Sequence, residues 1–183
     1  MKKMLLHTCC APCSTAVIER LATEYDITVL YYNPNIYPEE EYIKRKNEQI
    51  RYIGILNDKG LKVDYIDCDY NQNEFFNCVK GLETEPEGGK RCAVCFALRL
   101  DFVGKMASEK GFDIFTTSLT VSPHKNAQLI NEIGQSISQK YKVEYLVSDF
   151  KKKDGYKRSI ELSKQNNIYR QNYCGCKYSI WWK

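Results

Sequence analysis

The amino-acid sequence predicts an α/β fold, a three-layer sandwich around a mainly parallel five-stranded sheet. Short runs rich in β-branched and aromatic residues alternate with longer stretches whose apolar residues recur at helical spacing. Such alternation implies right-handed crossovers between parallel strands, with helices on both faces. Cysteines and polar residues follow directly on several of the strand runs, and the carboxyl ends of strands are where such sheets bind ligands. No repeat, low-complexity tract or linker divides the 183 residues, so one domain is expected over 1–183.

Lys3 to Thr8 turns apolar over a length that suits a buried first strand. Pro12 fits the turn or first helical position after it, and Ala16, Val17, Leu21 and Ala22 mark a helix from Ser14 to about Tyr25. Ile27 to Tyr32 reads as the second strand, ended by the turn Asn33-Pro34-Asn35. A helix from about Pro38 carries Glu39, Glu40 and Glu41 in its first turn, where the dipole favours acids. Ile43, Ile50, Ile53 and Leu56 are expected on its buried face, and Asp58-Lys59-Gly60 stops it. Leu61 to Asp67 is the third strand, and Asn71 to Leu82 another helix. The Gly- and Pro-containing loop Glu83 to Arg91 leads into Cys92 and Cys95, which open a helix with an expected face of Leu98, Phe102 and Met106. Phe112 to Thr117 is the fourth strand, and Ser118 to Lys125 a polar loop. A helix with Ile130, Ile133 and Ile137 on one side precedes the fifth strand, Val143 to Val147. A basic helix from Tyr156 to Asn166 and an aromatic tail follow, with Trp181 and Trp182 expected to pack on the domain.

Composition narrows the setting. The chain is 43% hydrophobic and 27% charged, as in ordinary globular proteins. No run approaches the roughly 18 apolar residues of a membrane span, and the apolar stretch after Lys2-Lys3 is too short for a signal peptide. A cytoplasmic location is therefore expected, without membrane contact. Disulfides are rare in that compartment, so nine cysteines, an odd count, point to metal or redox chemistry. The net charge of +4 is uneven: residues 151–183 carry nine Lys or Arg against Asp154 and Glu161, a net of +7, leaving −3 for the rest. That basic third suits a surface that meets phosphates, or a solvated lysine-rich tail.

Seven of the nine cysteines fall in three clusters: Cys9-Cys10-Ala-Pro-Cys13, Cys92-Ala-Val-Cys95 and Cys174-Gly-Cys176. A C-x-x-C spacing lets two thiolates turn to one metal, and it serves zinc, iron–sulfur and dithiol sites alike. Cys9-Cys10 and Cys174-Gly-Cys176 are too close for easy chelation of a single small ion, which favours a polynuclear site. Four thiolates satisfy one zinc or one cubane cluster, so seven imply a second metal beside the first. Cys68 and Cys78 stand alone and read as core, as does His7 within the first strand. His124 and Lys125 precede a helix N-terminus, a natural place for an anion. The tail Tyr169 to Tyr178 mixes aromatics with Arg170 and amides, the side chains that stack on and read unpaired bases.

The stretches Leu-His-Thr-Cys9-Cys10-Ala-Pro-Cys13-Ser, Tyr32-Asn33-Pro34-Asn35-Ile36, Arg91-Cys92-Ala-Val-Cys95-Phe-Ala-Leu-Arg99-Leu, Ser122-Pro-His-Lys125 and Tyr169-Arg170-Gln-Asn-Tyr-Cys174-Gly-Cys176 together resemble the QueH family of epoxyqueuosine reductases. The resemblance runs through nearly the whole chain in one order. It implies a Rossmann-like fold of the nucleotide alpha-hydrolase kind, and a cobalamin-independent oxidoreductase for the last step of queuosine synthesis in tRNA. It also implies a [4Fe–4S] cluster on Cys10, Cys92, Cys95 and Cys174, with a mononuclear iron on Cys9, Cys176 and Cys13. Asn33, His124, Lys125, Arg158 and Arg170 are expected at the substrate; His124, Lys125 and Tyr169 are the candidates for proton transfer. The expected partners are a tRNA carrying epoxyqueuosine and an electron donor that the sequence does not identify.

Two other functions are weighed against this. A zinc protein that binds RNA without redox chemistry would use the thiolates only to pin the tail. An ATP-dependent tRNA-modifying enzyme of the same fold would need a glycine-rich phosphate loop after the first strand, and Thr8 to Ser14 holds no glycine.

Overall fold

The computed structural model describes residues 1–182, with side chains through Ile180. Five strands, β1 (Lys2–His7), β2 (Tyr25–Tyr31), β3 (Val63–Asp67), β4 (Ile114–Thr117) and β5 (Glu144–Tyr145), form one sheet in the order β3-β2-β1-β4-β5. All four pairings are parallel, with Leu5 opposite both Thr28 and Phe115. The helices are α1 (Ala11–Leu21), α2 (Glu39–Asp58), α3 (Gln72–Cys78), α4 (Lys90–Glu109), α5 (Ala127–Tyr141) and α6 (Gly155–Gln165). Short 3-10 turns occupy Ser118–Val121 and Lys177–Trp182. Among the described residues no helix is long and apolar enough to cross a membrane.

The period-2 geometry of β1 divides the core. Met4 and Leu6 face Val17, Ile18, Tyr52 and Ile53 of α1 and α2. Leu5 faces the other way, toward Leu100 and Val103 of α4 and Ile130 and Ile137 of α5. Helices thus cover both faces, as a parallel sheet buried on both sides requires, and α6 packs outside α1.

Several boundaries and faces differ from expectation, each for a local reason. The first helix starts at Ala11, three residues before Ser14, because Pro12 tolerates the first turn, where no N–H partner is needed. On α2 the buried stripe is Tyr42, Arg45, Gln49, Tyr52, Ile53 and Leu56; Ile43 and Ile50 are 46% and 42% exposed. Polar Arg45 and Gln49 take the inward positions, and Arg45 anchors the C-terminal tail from there. The inward stripe of α4 runs through Cys95, Phe96, Arg99, Leu100, Val103 and Ala107, leaving Leu98, Phe102 and Met106 on its half-buried shoulders. Ser118–Val121, expected as a polar loop, is a fully buried turn capped by Thr117, whose Oγ1 accepts from the Leu119 N–H at 3.2 Å. The helix expected to reach Leu82 ends at Cys78, and β5 is two residues long. The side chains of Trp181 and Trp182 lie outside the described residues.

Candidate metal centre

The first thiol group sits where β1 hands over to α1. Cys10 is the helix cap, with extended backbone (φ −169°, ψ 156°), and Cys13 lies in the first turn. Their sulfurs and that of Cys9 all fall within 4.8 Å of one another. Cys9 and Cys10 are buried, with sulfurs 3.7 Å apart. Hydrogen bonds from Cys10 and Cys13 hold Cys9 well below the ordinary thiol range, while hydrogen bonds to Cys10 and Cys9 push Cys13 well above it. The unfilled amides of a helix N-terminus favour a thiolate at this place.

A second group forms where α4 meets the tail. Cys92 and Cys95 on the first turns of α4 face Cys174 and Cys176 across one narrow cavity. Gly88 N–H donates to the Cys92 sulfur at 3.2 Å. Burial pushes Cys95 up to about 12. The tail reaches this position through backbone contacts. Ile36 bridges Cys176 in antiparallel fashion, Tyr37 N–H donates to Gly175 C=O at 2.8 Å, and Arg45 donates to the Cys174 and Tyr173 carbonyls at 3.0 and 3.1 Å. Gly175 has φ +122°, and a Cβ there would stand 3.0 Å from the Arg45 guanidinium and 3.1 Å from Ile36. Only glycine gives the turn that points two cysteines inward at this spot.

The two groups adjoin. A larger cavity of about 530 Å³ is lined by Cys9, Cys13 and Cys174, and shares Glu87, His124 and Lys125 with the narrow one. That volume lies in the range of small-molecule sites, roughly 300–1,000 Å³. All nine cysteines are free. Soft thiolates in such number select iron–sulfur clusters or zinc, and the surroundings suit an anionic centre. Arg99 is 1% exposed, lines the narrow cavity, spends Nε on the Cys95 carbonyl at 3.3 Å and has no partner for Nη2 among the described residues. Burial opposes charge on Lys125, yet the Cys174, Cys9 and Cys13 thiolates raise its pKa on balance. Buried cations without carboxylate partners are costly unless negative charge is supplied, and thiolate-bound metal supplies it. The residues present fit the group.

The structure brings Cys9, Cys10, Cys13, Cys92, Cys95, Cys174, Cys176, His124, Lys125 and Arg170 to these cavities or their thiols. Three other candidates lie elsewhere. Asn33 is buried at 1% exposure and donates to the Thr8 carbonyl at 2.8 Å, so it braces the β1 end. Arg158 is spent on Glu19, at 2.7 and 2.8 Å, and on Glu161. The Tyr169 hydroxyl meets the Glu41 carboxylate at 3.1 Å, away from both cavities. Four residues that lie at the site were given no role there by the sequence: Glu87, Arg91, Arg99 and Gln171. Arg91 immediately precedes Cys92 and Arg99 lies one helical turn after Cys95, and two basic residues on an otherwise inward stripe are the signal that could have found them. His7 is core as expected: Tyr32 C=O accepts from Nε2 at 2.9 Å, which leaves Nδ1 to accept from the Thr117 hydroxyl, also at 2.9 Å.

Fold and site together define a thiol-rich α/β protein, with seven sulfurs in two adjoining groups and Cys9, Cys13 and Cys174 of them lining a nucleoside-sized cavity. Comparison with known proteins narrows the class. Residues 4–181 match the family model "Epoxyqueuosine reductase QueH". Proteins of that name from Staphylococcus epidermidis and Streptococcus pyogenes are each 49% identical to this chain, over 97% and 96% of it and 76% and 69% of their own lengths. The namesake from Thermotoga maritima is 36% identical over 98% of this chain and 91% of its own. The chain belongs to the QueH family of epoxyqueuosine reductases, and is an oxidoreductase. Similar folds occur in a predicted tRNA methyltransferase subunit of Methanocaldococcus jannaschii (TM-score 0.54, 15% identity, 88% of this chain and 74% of that one). They occur also in the U34-tRNA thiolase NcsA of Methanococcus maripaludis, solved with its [4Fe–4S] cluster (TM-score 0.53, 12% identity, 97% of this chain and 61% of that one).

Proposed function

We propose that this chain reduces epoxyqueuosine to queuosine at the wobble position of a tRNA anticodon, using iron held by its seven clustered cysteines. The carrying observation is the pair of adjoining thiol groups, which meet at a cavity of about 530 Å³ lined by Cys9, Cys13 and Cys174. Seven thiolates exceed what one zinc or one cubane uses. A four-plus-three division is favoured by the shared lining of the narrow cavity and by the first sulfur group: a [4Fe–4S] cluster on Cys92, Cys95, Cys174 and Cys176, and a single iron on Cys9, Cys10 and Cys13. Although adjacent in sequence, Cys9 and Cys10 bring their sulfurs to 3.7 Å, so one ion can meet both, against the expectation from their spacing. The family resemblance pairs them otherwise, moving Cys10 to the cluster and Cys176 to the single iron.

Removing the epoxide oxygen takes two electrons and two protons and releases water. When bound, the irons supply one-electron transfer and Lewis acidity toward the oxygen. The chain's own residues do the rest. Lys125 stays charged between the two thiol groups, where it stabilises negative charge on the departing oxygen. His124, exposed on the same loop, exchanges protons with solvent. Glu87, the one carboxylate among the described cavity-lining residues, suits the donor groups of a deazaguanine edge. Arg170 at the cavity and the lysines before α6 receive phosphates of the anticodon loop.

Anaerobic isolation tests this directly. The protein should be brown, contain more than four irons per chain, and convert epoxyqueuosine to queuosine in tRNA when given a reductant, read by nucleoside mass spectrometry. Zinc alone after anaerobic reconstitution with iron, or unchanged nucleoside from an iron-loaded protein, would reject it.

A further inference from the structure

Gln171 leaves the tail between Arg170 and Asn172, in a segment held from below by Arg45. Its Nε2 lies 2.9 Å from the Cys10 sulfur. Its Oε1 is buried and meets no hydrogen-bond donor among the described residues, although the residue lines the larger cavity beside Cys9 and Cys13. A metal-bound thiolate can only accept, so the amide must turn its N–H to sulfur and its carbonyl away. A buried carbonyl oxygen without a donor costs stability that folding alone does not return. It becomes intelligible if the donor arrives with a ligand.

We propose that Gln171 is a positioning residue that links substrate seating to the electron affinity of the iron on Cys10. One end of its carboxamide donates to the Cys10 sulfur, drawing charge from it and favouring the reduced metal. The other end accepts an O–H or N–H of the seated substrate. Hydrogen bonds at the two ends of an amide reinforce each other, so substrate binding strengthens the N–H···S bond and raises the reduction potential. The centre then takes electrons most readily when there is an epoxide to receive them. This rests on the iron reading above and adds to it a residue and a direction.

The test uses the iron-loaded protein and a redox titration followed by electron paramagnetic resonance, with and without an anticodon stem-loop carrying epoxyqueuosine. Wild type should show an upward shift of midpoint potential when the RNA is added. Gln171→Met, which keeps length but removes both polar ends, should show a lower midpoint and no RNA-induced shift at unchanged iron content. Equal midpoints and equal shifts in the two proteins would overturn the inference while leaving the iron reading intact. Should the variant lose iron, wild-type protein labelled with 15N at glutamine amides decides. A hyperfine coupling from that nitrogen to the paramagnetic centre is expected, and its absence overturns the proposal. A wild-type protein without iron would instead remove the metal reading itself.

Discussion

At the scale of single residues, the buried polar groups are most informative. His7, with no exposed surface, spends both ring nitrogens, and burial drives its pKa down to about 4. His7→Phe keeps the volume but strips the Tyr32 carbonyl and Thr117 hydroxyl of their partner. The expected loss is about 1–3 kcal/mol of unfolding free energy, read from chemical denaturation of the metal-free protein. A midpoint within error of wild type would show that other groups already satisfy both atoms. His7 was legible as core because it interrupts an otherwise apolar run. The bracing role of Asn33 was not: a polar residue at the carboxyl end of a strand looks like a ligand contact, and only coordinates show its amide N–H donating to Thr8. Pattern reading locates a side chain near the functional edge of a sheet but does not say whether it points at the cavity or at its own backbone.

At the scale of elements, α2 shows where periodicity misleads. Its aliphatic residues Ile43 and Ile50 suggested one face, yet Arg45 and Gln49 lie inward at under 2% exposure. Arg45 is buried because it serves another element: it pairs with Glu41 at 2.7 Å and takes the carbonyls of Tyr173 and Cys174. That demand comes from a segment some 130 residues away in sequence, beyond any local window. Arg45→Met should therefore loosen the tail more than the helix. Hydrogen exchange should speed at residues 173–177 with little change in α2, and iron content should fall. Equal protection of the tail in both proteins would show that the Ile36–Cys176 bridge suffices alone. The α4 signal was clearer, since C-x-x-C after a glycine-rich loop announces a helix start with two inward thiols. Its hydrophobic face still rotated, because Cys95 and Arg99, not Leu98, occupy the centre of the stripe.

At the scale of the molecule, alternation of strand and helix was enough to read the parallel sheet, and Cys9 and Cys10 lie at the carboxyl end of β1, where such sheets bind ligands. Which clusters meet was not readable: Cys9, Cys10 and Cys13 stay together as they do in sequence, but Cys92 and Cys95 meet Cys174 and Cys176, a pairing beyond any local pattern. The +7 of residues 151–183 gives a further expectation. Tyr156 and Ser159 of α6 line the larger cavity, and Lys152, Lys153 and Lys157, close to Tyr156 in sequence, are exposed. Replacing these three lysines by Ala should weaken tRNA binding and lower its logarithmic salt slope by about one for each phosphate no longer neutralised, with iron content unaltered. An unchanged slope in a filter-binding series would move the RNA to another face. The placement of Cys174 and Cys176 also sets an order of events during synthesis. The chain reaches Cys176 about 4–16 s after Cys95, at translation rates of roughly 5–20 residues per second. For those seconds five thiols are already made while two of the seven do not yet exist. On the proposed division of the seven thiols, the cluster waits for the tail, and the nascent chain then needs either a delivery system that acts late or a cell reducing enough to keep the early sulfurs from oxidising.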